Sequence, residues 1–361
     1  MNDISQYSRT FNQYKYSVPE WPMDGNIGDC IQSIAVENLL KKAGIGNVGI
    51  VNRDEVSGYD GCRTKLVMQG WFADYAGVRH FPLSANITPV FIGFHLNVIK
   101  RTRERFIING YAESLKPYQP VGCRDRDTAG FLRRIGVDAY FSGCMTLTFD
   151  KRKSPPSDGG KVFIVDLDKK SLSKVPEDIL KRADSSVSHK YFFKKHPISR
   201  EEADDFENRA RLILERYKNE ASLVITSKIH VAMPCIAMGI PVVFISDDVY
   251  NERFDVLKGI IPLYSYKDAK YVDWNPQAAD IGELKNAIIE NAIAQIRGTA
   301  SNGKTVEKLN AITSKLEYIP TTTRVRWLFR SLIRKIYYKK LKRNIRICVL
   351  NAFCGIWRKI R

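Results

Sequence analysis

Between Ser222 and Ser246 the chain reads SLVITSKIHVAMPCIAMGIPVVFIS, two apolar runs rich in β-branched residues around a segment of helical length. Short continuous runs such as SLVIT and PVVFIS predict parallel strands covered on both faces. Gly239 stands where the intervening helix needs a left-handed cap, and Pro241 stops the helix from continuing. Lys228 and His230 therefore fall between the carboxyl end of a strand and the amino end of a helix. Ligands of open α/β sheets bind at that position, and the free N–H groups of a helix start favour anions.

The same alternation recurs upstream. KLVM (65–68) leads into Gln69-Gly70, PVFIGF (89–94) into His95, PVGC (120–123) into Arg124-Asp125-Arg126-Asp127, and AYF (139–141) into Ser142-Gly143. Gly25-Asn26-Ile27-Gly28-Asp29 precedes a helix predicted over Cys30–Ala43, and a second helix is predicted over Thr128–Ile135. The stretch KRKSPPSDGGK (151–161) has no apolar residue, so 154–160 reads as a linker between a first domain, 1–153, and a second, 161–319. KVFIVDLD opens the second domain as a strand. Ser199 with Glu202, and Asp280 with Glu283, have capping-box spacing and open helices to about Lys218 and about Ile296. Strands alternating with helices predict an α/β fold with parallel sheets.

Charge changes the picture only at the end of the chain. The net charge is +18 over 361 residues, yet Pro320–Arg361 holds thirteen Lys/Arg and no Asp/Glu, leaving 44 basic against 39 acidic residues elsewhere. Val325, Leu328, Phe329, Leu332, Ile336, Tyr337 and Leu341 recur there at three- and four-residue steps among the cations. The pattern predicts a basic amphipathic helical tail lying on an anionic membrane surface through 324–361; a helix packed on the body is the alternative. Nucleic acid is not the expected partner, because nothing in the body continues the basic stripe. Seven scattered cysteines without a CxxC pair predict reduced thiols. With no signal-like start and no run of about 18 apolar residues, a cytoplasmic protein, peripheral on the inner face of the membrane, is expected.

The candidate polar groups share a position, since Asn26, Gly28, Asp29, Gln69, His95, Arg124, Asp125, Arg126, Ser142, Gly143, Lys228 and His230 all follow predicted strands or precede predicted helices. Arg124 and Arg126 from one domain, with Lys228 and His230 from the other, could hold a small polyanion across a cleft. Neither a Walker loop nor a GxGxxG fingerprint is present, and no metal-ligand spacing is found. His80 and His189 carry no companion signal and are assigned structural roles.

GNIGDCIQSIA, VGCRDRDTAGFLRRIGVDAYFSGCMTLTF and ERYKNEASLVITSKIHVAMPCIAMGIPVVFIS, in that order between about Gly25 and Tyr264, resemble the polysaccharide pyruvyl transferase family. The resemblance implies two Rossmann-like domains in a glycosyltransferase-B-like arrangement. It also implies transfer of the enolpyruvyl unit of phosphoenolpyruvate to sugar hydroxyls, forming a pyruvate ketal and releasing phosphate; a tail on the inner membrane face makes a lipid-linked or surface-polysaccharide precursor the expected acceptor. Phosphoenolpyruvate is then a co-substrate and no other cofactor is expected. The family's Arg-Asp pair falls on Arg124-Asp125. Its Arg-Leu-His motif falls on Lys228-Ile229-His230, and a lysine common in the family falls at Tyr250. His230 is thus the expected acid, with His95 or Asp125 the base. Arg124, Arg126 and Lys228 would neutralise the donor, and Asn26, Gly28, Asp29, Ser142 and Gly143 would line the substrate site. A nucleotide-sugar glycosyltransferase on the same frame, or an inactive membrane-docked member, are the alternatives.

Overall fold

The computed structural model describes residues 15–20, 25–72, 78–96, 100–193, 198–247, 249, 251–299 and 302–316. The chain divides into two units, Met1–Ile319 and Pro320–Arg361; the architecture below is that of the first. The tail expected over 324–361, and the position of Tyr250, lie outside the described residues.

The first half carries strands β1 (Tyr16–Glu20), β2 (Val48–Asn52), β3 (Thr64–Phe72), β4 (Ile87–Leu96), β5 (Val121–Cys123) and β6 (Ala139–Phe141), with helices α1 (Ile27–Lys42), α2 (Lys100–Ile108), α3 (Tyr111–Leu115) and α4 (Arg126–Arg134). The second half carries β7 (Lys161–Val165), α5 (Lys169–Leu172), α6 (Glu177–Arg182), β8 (Ala183–Asp184), α7 (Arg200–Glu220), β9 (Ala221–Thr226), α8 (Ile229–Ala237), β10 (Val242–Ser246), β11 (Leu263–Ser265), α9 (Gly282–Arg297) and α10 (Asn302–Ser314). All pairings within the two sheets are parallel, in the orders β2-β1-β3-β4-β5-β6 and β11-β10-β9-β7-β8. The fold is therefore α/β, as the alternating pattern predicts.

Helix caps account for most of the differences from expectation. Asn26 Oδ1 accepts the Gly28 N–H at 3.1 Å, so α1 begins at Ile27 rather than at Cys30. Asp125 Oδ1 accepts the Thr128 N–H at 2.7 Å, so α4 starts at Arg126 instead of Thr128. Ser199 caps α7 as its spacing predicts, its hydroxyl accepting the Glu202 N–H. Strands β1 and β2 escape the sequence pattern because YSVPE and VGIVN are interrupted by Pro19 and Gly49.

Two helices join the halves. All nine residues of α8 are buried, the mark of a helix covered on every side. Twelve residues of α1 are buried as well, and its apolar side chains share one core with those of α7, α8 and α9. Helices α9 and α10 return to the first half. Tyr140 Oη donates to Asn291 Oδ1 at 2.7 Å, Arg297 Nη2 donates to Ala43 O at 2.9 Å, and Arg126 Nη2 donates to Thr313 O at 3.1 Å. The linker separates the strands of the two sheets, whereas the last two helices belong in packing to the first. No described helix is long and apolar enough to cross a membrane.

Candidate active site

The shared core sets the first turns of α1 and α8 against each other. A Cβ on Gly28 would lie 2.9 Å from His230 Cβ and 3.2 Å from His230 Nδ1, so only glycine permits this approach. Asp29 Oδ1 stands 3.8 Å from His230 Nδ1. The carboxylate is held from both sides, Asn26 Nδ2 donating to Oδ2 at 2.9 Å and Gln32 Nε2 to Oδ1 at 2.6 Å. Backbone bonds tie the same turn to the second half: Tyr191 N donates to Gly25 O at 2.7 Å and Ile27 N to His189 O at 3.0 Å.

Arg124 closes the first-half wall. It is 1 % exposed, the largest of the fully buried side chains, and its backbone N–H extends the strand pairing onto Phe94 O. Its Nη1 donates to Gln32 Oε1 at 3.4 Å, while Nε and Nη2 are buried without a hydrogen-bond partner. Those two N–H groups form the side-on fork of a guanidinium, the geometry that takes a carboxylate or phosphate bidentately. Leaving them unmatched in a buried site is costly unless an anion fills the position.

Next to it, His95 Nδ1 and Asp125 Oδ2 meet at 2.6 Å, and Thr128 Oγ1 donates to the same carboxylate oxygen at 3.0 Å. Burial alone would raise the Asp125 carboxyl, but His95, the Thr128 N–H and Arg124 outweigh it and hold it below the usual range. Burial, then Arg124, lower His95 despite the carboxylate. The result is an uncharged imidazole oriented by a carboxylate.

His230 comes from the other half. Burial, then the charges of Arg124 and Arg253, hold it well below the ordinary histidine range, and its Nε2 is buried without a partner. Lys228 is exposed at the N-cap of α8, its N–H donating to Thr226 Oγ1 at 3.0 Å. Gln69, at the carboxyl end of β3, also buries both amide atoms without a partner.

Not every expected residue reaches this cluster. Arg126 is turned away by its place at the first position of α4: its guanidinium lies 4.2 Å over the Phe141 ring, donates to Thr313 O and faces Asp255 at 3.5 Å. It clamps the two halves, with both terminal nitrogens and one ring-facing side of the guanidinium engaged. Ser142 Oγ accepts the Gly93 N–H at 2.8 Å and donates to Cys123 O at 3.1 Å, which commits it to stitching the sheet. Gly143 has φ of +74° and faces Ile288, so its role is close packing of α9. His189 is a structural residue, its Nε2 3.0 Å from Tyr217 Oη and its pKa pushed down to about 4 by burial, with Lys228 adding to the shift.

Two participants are absent from the sequence reading. Gln32 is fully buried and joins Asp29 to Arg124; one helical turn past Asp29, a polar residue on an otherwise apolar face was its signal. Arg253, in the 3-10 turn Glu252–Leu257 after β10, acts electrostatically on His95, Arg124 and His230. A cation three residues beyond Tyr250 was its signal. Among the described residues, no group of three or more His, Cys, Asp or Glu is placed to hold a metal ion.

A crystal structure of a functionally uncharacterized protein from Klebsiella pneumoniae subsp. pneumoniae is similar with a TM-score of 0.41 and 14 % identity, over 68 % of this chain and 88 % of that one. No curated protein matches the chain. The family model for polysaccharide pyruvyl transferases matches residues 26–249, more than half the chain, from the cap of α1 to just past β10. The chain therefore belongs to the polysaccharide pyruvyl transferase family and is a transferase.

Proposed function

We propose that this protein transfers the enolpyruvyl unit of phosphoenolpyruvate to a sugar of a lipid-linked or surface-polysaccharide precursor, on two Rossmann-like halves arranged as in glycosyltransferase-B folds. The observation that carries the reading is the unengaged Nε/Nη2 fork of buried Arg124 beside the unpartnered Nε2 of His230. The positive ends of α1 and α8 meet at the same place, which adds to the pull on an anion.

Phosphoenolpyruvate carries about three negative charges near neutral pH, two on phosphate. Arg124 takes one anionic group bidentately, and Arg253 and exposed Lys228 balance the rest. The donor's charge also reverses the field on His230: an imidazole kept neutral by burial and neighbouring guanidiniums takes up a proton when the trianion arrives. His230 Nε2–H then protonates the methylene carbon, leaving an oxocarbenium-like centre at the adjacent carbon. A sugar hydroxyl adds to that carbon and gives its proton to His95, whose other nitrogen is held by Asp125. The carbon–oxygen bond to phosphate breaks, and a second hydroxyl closes the ketal. Of the two hydroxyl protons, one is accounted for in the new methyl group and one leaves with phosphate.

The basic sequence of 324–361 supports a lipid-linked acceptor at an anionic membrane surface. Phosphate release from phosphoenolpyruvate against a panel of lipid-linked glycans, with product mass, tests the reading. Phosphate release only with acceptor, together with a ketal-bearing product, supports it. Turnover of a nucleotide-sugar instead would replace it.

A further inference from the structure

The turn Asn26–Asp29 was expected to line the substrate site, yet each of its side chains is spent on a neighbour within the protein. Asn26 caps the helix and grips Asp29, Gly28 makes room for the His230 ring, and Asp29 is pinned by Asn26 and Gln32 with one oxygen toward His230 Nδ1. We propose that this turn is a socket that seats His230, with Asp29 as the positioning residue that fixes the imidazole as the Nδ1-protonated tautomer and presents Nε2 to the donor.

Three independent observations carry the inference. Contact at Gly28 is steric and tolerates no added carbon, because His230 Cβ and Nδ1 both lie within 3.2 Å of where one would stand. Asp29 is held before His230 arrives, since both of its oxygens are engaged by amides of its own helix. The turn is also tied to the second half by its backbone, through Gly25 O and the Ile27 N–H. At 3.8 Å the Asp29–His230 approach is longer than a hydrogen bond. Catalytic hydrogen bonds of this kind tighten when substrate is bound.

Charge makes the assignment specific. His230 is faced by Arg124 at the end of β5, His95 at the end of β4, Arg253 in the turn after β10 and His189 in the segment leading to α7. The two guanidiniums oppose a second proton on the ring. Asp29, from α1, brings a carboxylate oxygen to 3.8 Å from the ring's Nδ1. A carboxylate on Nδ1 keeps the proton off Nε2 in the free enzyme and stabilises the imidazolium once the donor supplies negative charge, the logic of an oriented histidine–carboxylate pair. Because the socket is in one half and the histidine in the other, the acid is competent only while the halves are apposed.

The inference rests on His230 being the acid, so its test needs a readout independent of turnover. Long-range 15N–1H spectra of the imidazoles, with the His230 signals identified by their loss in His230→Ala, report the tautomer directly. The wild-type protein is expected to show Nδ1-protonated His230, and Asp29→Asn and Asp29→Ala to show a mixed or Nε2-protonated ring with a lower pKa. In turnover of phosphoenolpyruvate with an accepted glycan, both variants are expected to lose about 10²-fold in kcat with KM for the donor nearly unchanged, and the alkaline limb of the pH profile, set by the acid, to move to lower pH. Gly28→Ala should give the same spectral change by displacing the ring. Folded Asp29 variants with an unaltered His230 tautomer and pKa would overturn the socket even if phosphoenolpyruvate is consumed normally. A wild-type protein inert to phosphoenolpyruvate with every glycan would overturn the donor assignment while the tautomer shift still stood.

Discussion

The two sides of the Arg124–His230 cluster, here its two walls, are built differently. On the first-half wall every functional group except the Arg124 fork and the Gln69 amide is wired to a protein partner: Asn26 to Asp29, Asp29 to Gln32, Gln32 to Arg124, His95 to Asp125, Asp125 to Thr128. The second-half wall offers Lys228, His230 and Arg253, none with a side-chain hydrogen bond among the described residues. A wired wall holds its geometry without ligand, and a bare wall gains its partners from the ligand. The difference assigns orientation to the first half and charge response to the second.

Removing the bare wall's acid should have the largest effect. His230→Ala is expected to lower turnover of phosphoenolpyruvate by about 10²–10⁴-fold, measured as acceptor-dependent phosphate release; wild-type rates would break the comparison. On the wired wall, Asp125→Asn should cost about 3 kcal/mol of stability, because it leaves a buried network half-matched, seen as a lower urea midpoint. The same change should free His95 and reduce turnover.

Titration separates the walls again. His95, His189 and His230 are all lowered in the folded protein, so the unfolded chain binds more protons below the ordinary histidine pKa near 6.5. Stability is present above that pH and is lost as pH falls, by at most about 1.4 kcal/mol per pH unit for each of the three groups. Urea midpoints at pH 7.5 and 5.5 check the sign. Donor binding should reverse it locally: His230 takes up a proton with phosphoenolpyruvate, so affinity falls as pH rises. Calorimetry in buffers of different ionisation enthalpy reads that proton.

Smaller effects are expected at Ser142, which is committed to the sheet, and at exposed Lys228 on the rim of the site. Ser142→Ala leaves the Gly93 N–H unmatched in the core and should cost about 1–3 kcal/mol without changing donor affinity. Lys228→Arg restores a guanidinium fork at an exposed position and is expected to tighten donor binding by only a few-fold, about 1 kcal/mol or less.

What was legible in the sequence was local. Strand β9, helix α8 and strand β10 could be read because continuous apolar runs, Gly239 and Pro241 mark them within one stretch, and this alone placed Lys228 and His230. Caps moved two helix starts by two or three residues, and that was enough to turn Arg126 onto Phe141 and Thr313 while Arg124 stayed in the cluster. The contact of Gly28 and Asp29 with His230 spans some two hundred residues and depends on how two separately built sheets share a core. No periodicity encodes that. Ser142 shows a further limit, since a hydroxyl after a strand looks the same in sequence whether it faces substrate or a backbone N–H.

Isothermal titration of phosphoenolpyruvate into the wild-type protein and into Arg124→Lys addresses the donor site most directly. Lysine keeps the charge and removes the two-pronged grip, so binding to the wild type and a loss of about 10²-fold or more in the variant are predicted, the cost of two charge-assisted hydrogen bonds. Equal affinity in the two proteins would mean that the buried fork does not hold the donor.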